Sequence, residues 1–151
     1  MMYLVGVAVA LIGLVVGLRI RRRHLARVFQ DHMDIQVSVL LAKERRGRRR
    51  AHGSLILELK HYDKNLQSIY ITSIRSKNEK IRVKYFSGLL FEVNRTNRAD
   101  TRMLSIGVRM SNCAEDNCRQ HKESVYVEGK LYFADKTKKA FGKDIVLSLI
   151  R

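Results

Sequence analysis

The sequence predicts a mainly β protein: an N-terminal single transmembrane helix followed by an antiparallel β-sandwich of immunoglobulin-like type, or else a small β-barrel. Three observations lead there. Met1 to Leu18 carry no charged side chain, and the basic run Arg19-Ile20-Arg21-Arg22-Arg23-His24 follows at once. Beyond residue 34, apolar and polar residues alternate with period two in about seven or eight short, near-regularly spaced runs. No amphipathic helical pattern lies between those runs, which argues against the crossover helices of a parallel sheet.

The first element, residues 1–20, is expected to be a membrane anchor. A helix through Ile20 would be roughly 30 Å long, about the thickness of a bilayer's hydrocarbon core. Arg19 can reach the headgroup level while its aliphatic stem stays in apolar surroundings. A cleaved secretory signal fits less well, since no basic residue precedes the apolar run and arginines occupy the place of a cleavage site. Arg19, Arg21, Arg22, Arg23 and Arg27 follow the run, and no Lys or Arg precedes it. Cationic flanks stay on the cytoplasmic side, so the N-terminus is expected outside an inner (plasma) membrane and the C-terminal domain in the cytoplasm.

Residues 21–33 read as a basic juxtamembrane helix or linker, with Leu25, Val28 and Phe29 at i, i+3 and i+4 on one face. Residues 34–151 read as one cytoplasmic β domain, long enough to bury a core without disulfides. Ile35, Val37 and Val39 open it. Leu55, Leu57 and Leu59 follow after the basic segment 43–50, and Ile69, Ile71 and Ile74 after the turn chemistry of Asp63-Lys64-Asn65. Ile81, Val83 and Tyr85 come next. Gly88 then suggests a bulge or bend before the run 89–93. Leu104, Ile106, Val108 and Met110 alternate after a polar loop. Val125, Val127, Gly129, Leu131 and Phe133 mark an inner face, and a last strand is expected around Asp144–Ile150 after the polar stretch 135–139.

Formal net charge is +16, with 11 Lys and Arg against 3 Asp and Glu in residues 19–51, and 19 against 11 in residues 52–151. Half of the excess thus lies close to the membrane, where each basic side chain gains on the order of 1 kcal/mol from anionic lipid. Arg19, Arg21, Arg22, Arg23, Arg45, Arg46, Arg48, Arg49 and Arg50 are the candidate lipid or anion contacts. No nucleic-acid recognition motif accompanies the charge, so nucleic acid is not the expected partner. Gly6, Ala10, Gly13 and Gly17 recur along one face of the anchor and are the candidate contact with another spanning helix, either a second copy or a different protein.

Signals for chemistry are sparse. Cys113, Cys118 and His121 have ligand-type side chains, yet a closed structural zinc site needs four ligands and the C-x2-C spacing is absent. Two reduced cysteines in a polar loop are the plainer reading, and metal binding stays open. The histidines form no H-x-x-x-H pair, and no nucleophile elbow or phosphate-cradling Gly-rich loop is present. No catalytic residues and no cofactor are therefore expected. The segment Arg46-Gly47-Arg48-Arg49-Arg50 resembles the R-x-x-x-R of PilZ domains, which bind cyclic di-GMP through those arginines and a later D/N-x-S-x-x-G. The nearest downstream match, Ile71 to Ser76, keeps Ser73 but lacks the acidic or amide residue and the glycine. The expectation is a single-pass accessory or scaffold protein whose β domain binds a protein partner. The alternative is a membrane-tethered sensor that takes an anionic ligand, such as a cyclic dinucleotide, through its arginine-rich loop.

Overall fold

The structure is a computed structural model that describes residues 2–41, 50–76, 81–83, 86–93, 101–109 and 124–150. It begins with one continuous helix, α1 (Met2–His32), and passes without a connecting loop into β1 (Met33–Leu41). Ala, Leu and Arg propagate a helix well, and nothing in the run lacks an amide donor, since the chain contains no proline. The helix stops where β-branched residues begin to alternate, at Ile35, Val37 and Val39. There the Asp63 N–H donates to the His32 carbonyl at 2.8 Å, satisfying one of the terminal acceptors.

Among the described residues seven further strands follow: β2 (Arg50–Tyr62), β3 (Leu66–Ser76), β4 (Ile81–Val83), β5 (Leu89–Glu92), β6 (Thr101–Arg109), β7 (Ser124–Phe133) and β8 (Lys138–Ile150). They form one 8-stranded sheet in the order β4-β6-β2-β1-β8-β7-β3-β5. The sheet curls around a single core. That core takes Val37 and Val39 from the middle, Ile106 from β6 towards one end, and Phe91 from β5 at the other. The molecule is mainly β, as expected, and among the described residues every pairing is antiparallel except one. β1 pairs parallel with β8, Val37 opposite Leu147 and Leu40 opposite Ile150. This pair joins the two arms of the sheet and puts the last strand at its centre.

Alternation along β7 is regular, with Val125, Val127, Gly129, Leu131 and Phe133 buried. Gly129 has no room for a side chain, because an added Cβ would lie 2.3 Å from the Tyr70 carbonyl oxygen and 2.7 Å from the Phe141 ring. Strand β3 instead buries Leu66, Ile69, Ile71 and Ile74, a spacing reset by the two register shifts it makes against β7. Gly88, with φ of 118°, turns the chain immediately before β5.

One expectation is corrected. The last strand starts at Lys138, six residues before the expected start, because its first three residues, Lys138 to Ala140, are exposed on both faces and the first buried one is Phe141. The turn before it is closed by Asp135, whose carboxylate accepts from the Thr137 amide at 2.9 Å and its hydroxyl at 2.6 Å. Of the two forms expected for the segment 21–33, the helical one is seen: residues 21–32 complete α1, Met33 opens β1, and Phe29 and Met33 belong to the core of the β domain. Among the described residues, no helical stretch is long and apolar enough to cross a membrane. Within the apolar run Val7, Val9, Leu11, Ile12, Leu14 and Leu18 stand exposed.

Candidate functional site

Chemistry-bearing side chains converge where the last turns of α1 lie against β7 and β8. Leu25, Val28, Phe29 and His32 recur at helical spacing and face the sheet. Leu25 reaches to within 3.6 Å of where a Cβ on Gly142 would sit. Phe29 is 1 % exposed, with its ring centroid 5.8 Å from that of Phe141, and the Lys143 ammonium lies 4.9 Å from the Phe29 centroid. Higher on the helix, the Arg22 guanidinium lies 5.8 Å from the ring centre of Tyr126. Partial burial above all, then Glu128, pushes the Tyr126 phenol above its ordinary range. Asp144 adds to this, while Arg22 and Arg21 pull the other way.

At the lower end, His32 binds at both ring nitrogens. Nδ1 lies 3.1 Å from Asp63 Oδ2 and Nε2 lies 2.9 Å from Lys139 Nζ. The tautomer that satisfies both carries its proton on Nδ1, donates to Asp63 and accepts from the lysine. The ring also meets Phe133 edge-on at 4.9 Å. The Asn65 N–H, donating to Asp63 Oδ1 at 3.0 Å, does most to hold the Asp63 carboxyl below its ordinary range. The His32 hydrogen bond is the next cause. An imidazole with both nitrogens taken by protein groups has no lone pair left for a metal or a substrate. The Asp63–His32–Lys139 group therefore ties three chain segments together: the α1–β1 junction, the β2–β3 turn and the start of β8.

The predicted sites fall elsewhere. Arg19, Arg21, Arg22 and Arg23 are consecutive or nearly so on α1, all exposed, and ring the helix. Arg50 opens β2 opposite Arg109 of β6, whereas Arg45, Arg46, Arg48 and Arg49 lie outside the described residues. So do Cys113, Cys118 and His121. Among the described residues, no group of three or more His, Cys, Asp or Glu is placed to hold a metal. Gly6, Ala10, Gly13 and Gly17 are exposed, and nothing of this chain lies within 4 Å of a Cβ added at any of the three glycines. Sequence reasoning missed the His32 group, although His32 follows Phe29 by three residues and so continues the stripe of Leu25, Val28 and Phe29.

No family model matches the chain, and no curated protein matches it. Among solved structures, it is similar to the cohesin module of a family 33 glycoside hydrolase from Clostridium perfringens. The identity is 8 %, the match covers 79 % of this chain and 98 % of that one, and the TM-score is 0.34. A likeness at that score supports no conclusion about fold or partner.

Proposed function

We propose that the chain is a single-pass accessory or scaffold protein of the inner (plasma) membrane, anchored by residues 1–20, whose β domain binds a protein partner in the cytoplasm. The observation that carries this reading is the union of two unlike halves in one rigid helix. The upper half of α1 presents exposed Val, Leu and Ile on all sides, and the lower half is built into the core of the β domain. Such an apolar rod is unfavourable in water, at about 25 cal/mol per Å² of apolar surface left wet, and a bilayer removes that penalty. The uncharged run Met1–Leu18 and the arginine collar after it support the span and its orientation. The β domain is taken as a sandwich, supported by a core that both arms of the sheet share and by Arg102 of β6, which lies 5.7 Å from the Phe91 ring centre on β5.

Two measurements test this. The full chain should remain with membranes through alkaline carbonate extraction, and a reporter active only in the cytoplasm should work when fused after Arg151. Release by carbonate, or activity of a periplasm-only reporter at that position, would overturn the anchor or its direction. Purification in mild detergent should then bring down a discrete protein in fixed stoichiometry. A chain that emerges alone from each such purification would remove the scaffold assignment.

A further inference from the structure

We propose that a second copy of this chain docks on the outer face of β8, β1, β2 and β6, sheet against sheet. The inference goes beyond the anchor reading above and does not depend on whether α1 crosses a membrane. Its basis is the distribution of charge over the outside of the sheet. Across the four strands, Ser148, Ser38, Ile56 and Met103 stand opposite one another in one row. Their chain neighbours Leu147, Val37, Val39, Leu55, Leu57 and Leu104 belong to the core or pack against it, so the row lies on the outer face. Leu40, Ser54 and Ser105 form the next row on one side, and Gln36, Glu58 and Thr101 the next on the other. In these three rows Glu58 alone is charged, and Lys60 takes its carboxylate at 2.6 Å. The outer face of the other arm is built differently, since Lys138, Asp144, Glu128, Lys130, Arg75 and Glu92 all stand on it. Exposed apolar side chains divide the opposite way. Outside α1, Leu40, Leu90, Met103 and Val146 are the large apolar residues left exposed among those described, and all but Leu90 lie on the uncharged face, Met103 at 61 % and Val146 at 53 %.

Charge also identifies the occupant. With a net charge of +16, two copies repel wherever their basic surfaces meet. A partner recruited by its acidity would be drawn to those same surfaces, not to rows that offer it no cation. The uncharged rows are where this chain can meet its own kind. A twofold axis through them lays the face on itself, so that Met103, Ile56 and Leu40 of each copy cover apolar surface of the other. Charged side chains return at the border, with Asp34 and Lys60 exposed at one end, which is the apolar centre and charged rim of an interface. Four strands about 4.8 Å apart, over the 9 residues of β1 at about 3.3 Å each, give roughly 570 Å² per copy. The two copies together would bury about 1,100 Å², just above the roughly 1,000 Å² that a specific interface needs. The dimer is therefore reversible and depends on concentration.

The test is sedimentation equilibrium of the full chain in mild detergent, with the fold of each variant checked by circular dichroism. The wild type should dimerise, and raising salt from about 0.05 to 0.5 M should tighten the dimer, because salt screens the repulsion between two basic copies. Met103→Lys sets like charges against each other and should weaken association about tenfold or more. Val146→Lys repeats the test on β8, in case the first variant fails to fold. Leu90→Lys, on the charged arm, should leave association within about twofold of wild type. A chain that stays monomeric at every concentration would overturn the proposal, as would a dimer that weakens with salt or ignores both lysines on the uncharged face. A dimer lost with Gly13→Leu and Gly17→Leu, yet kept by both of those lysine variants, would place the contact in α1 and overturn it too, while leaving the anchor reading untouched.

Discussion

Replacing Phe29 with alanine asks whether α1 is part of the β domain or merely attached to it. The ring is 1 % exposed, rests against Phe141 and is covered by the Lys143 ammonium. A buried aromatic side chain removes about 150–250 Å² from water, which at about 25 cal/mol per Å² is an upper figure of roughly 4–6 kcal/mol. Phe-to-Ala truncations in cores cost about 3–5 kcal/mol, with the cavity included. The Lys143 contact adds about 0.5–1 kcal/mol. A loss of about 4 kcal/mol should lower the Tm of a domain of this size by on the order of 10–15 °C. Thermal unfolding of the full chain in mild detergent, followed through the β signal in circular dichroism, reads that shift. Phe29→Leu should lose only about 1–2 kcal/mol. If Phe29→Ala moves Tm by less than about 3 °C, the helix end adds little to the core and α1 is merely attached to the β domain.

Three further outcomes are expected. Gly129→Ala forces a methyl against the Tyr70 carbonyl and the Phe141 ring, so it should destabilise by about 1–3 kcal/mol in denaturant unfolding; an unchanged midpoint would mean that β3 and β7 do not approach that closely. Asp63 binds its proton at lower pH in the folded chain than in the unfolded one, whose ordinary value is 3.8. Its stabilising contribution is therefore in place above that value and fades as pH falls through the folded one. The stability difference between wild type and Asp63→Asn should be constant near neutrality and close in the acid range, with Asp63→Asn compared in a chain that keeps Asp135, whose carboxyl is lowered independently by Thr137. A difference that persists unchanged in strong acid would refute the linkage. Gly13→Leu with Gly17→Leu meets open space in this chain, so insertion should survive while any helix–helix association falls; an association assay that registers no change would make the small residues ordinary anchor composition.

Where a strand has one dry face and one wet one, its pattern was legible. Leu55, Leu57 and Leu59 of β2, and the inner face of β7, stood out by alternation alone. The start of β8 was hidden because Lys138 and Lys139 leave the first buried residue at Phe141, so the polar stretch resembles a loop. The parallel pairing of β1 with β8 left no trace, since Val37 and Leu147 would show the same alternation beside any neighbour. The stripe of Leu25, Val28 and Phe29 was visible as a helical face, but not what it covers. The Asp63–His32–Lys139 group unites residues 31 and 107 positions from His32, and no local spacing encodes a meeting produced by three separate turns of the fold.

The central place of β8 sets an order on how the chain can be made. Residues 25–41 leave the ribosome early, yet the Phe29 ring, the Nε2 side of His32 and one side of β1 meet Phe141, Lys139 and residues 147–150 only at the end of synthesis. At synthesis rates of about 5–20 residues per second, roughly a hundred intervening residues hold that meeting off for about 5–20 s. Throughout that interval one edge of β1 is unpaired and the helix stripe is bare, the two features that invite association with other chains. A premature stop anywhere before Lys138 would yield no smaller version of the domain: it would leave both surfaces open for the lifetime of the fragment.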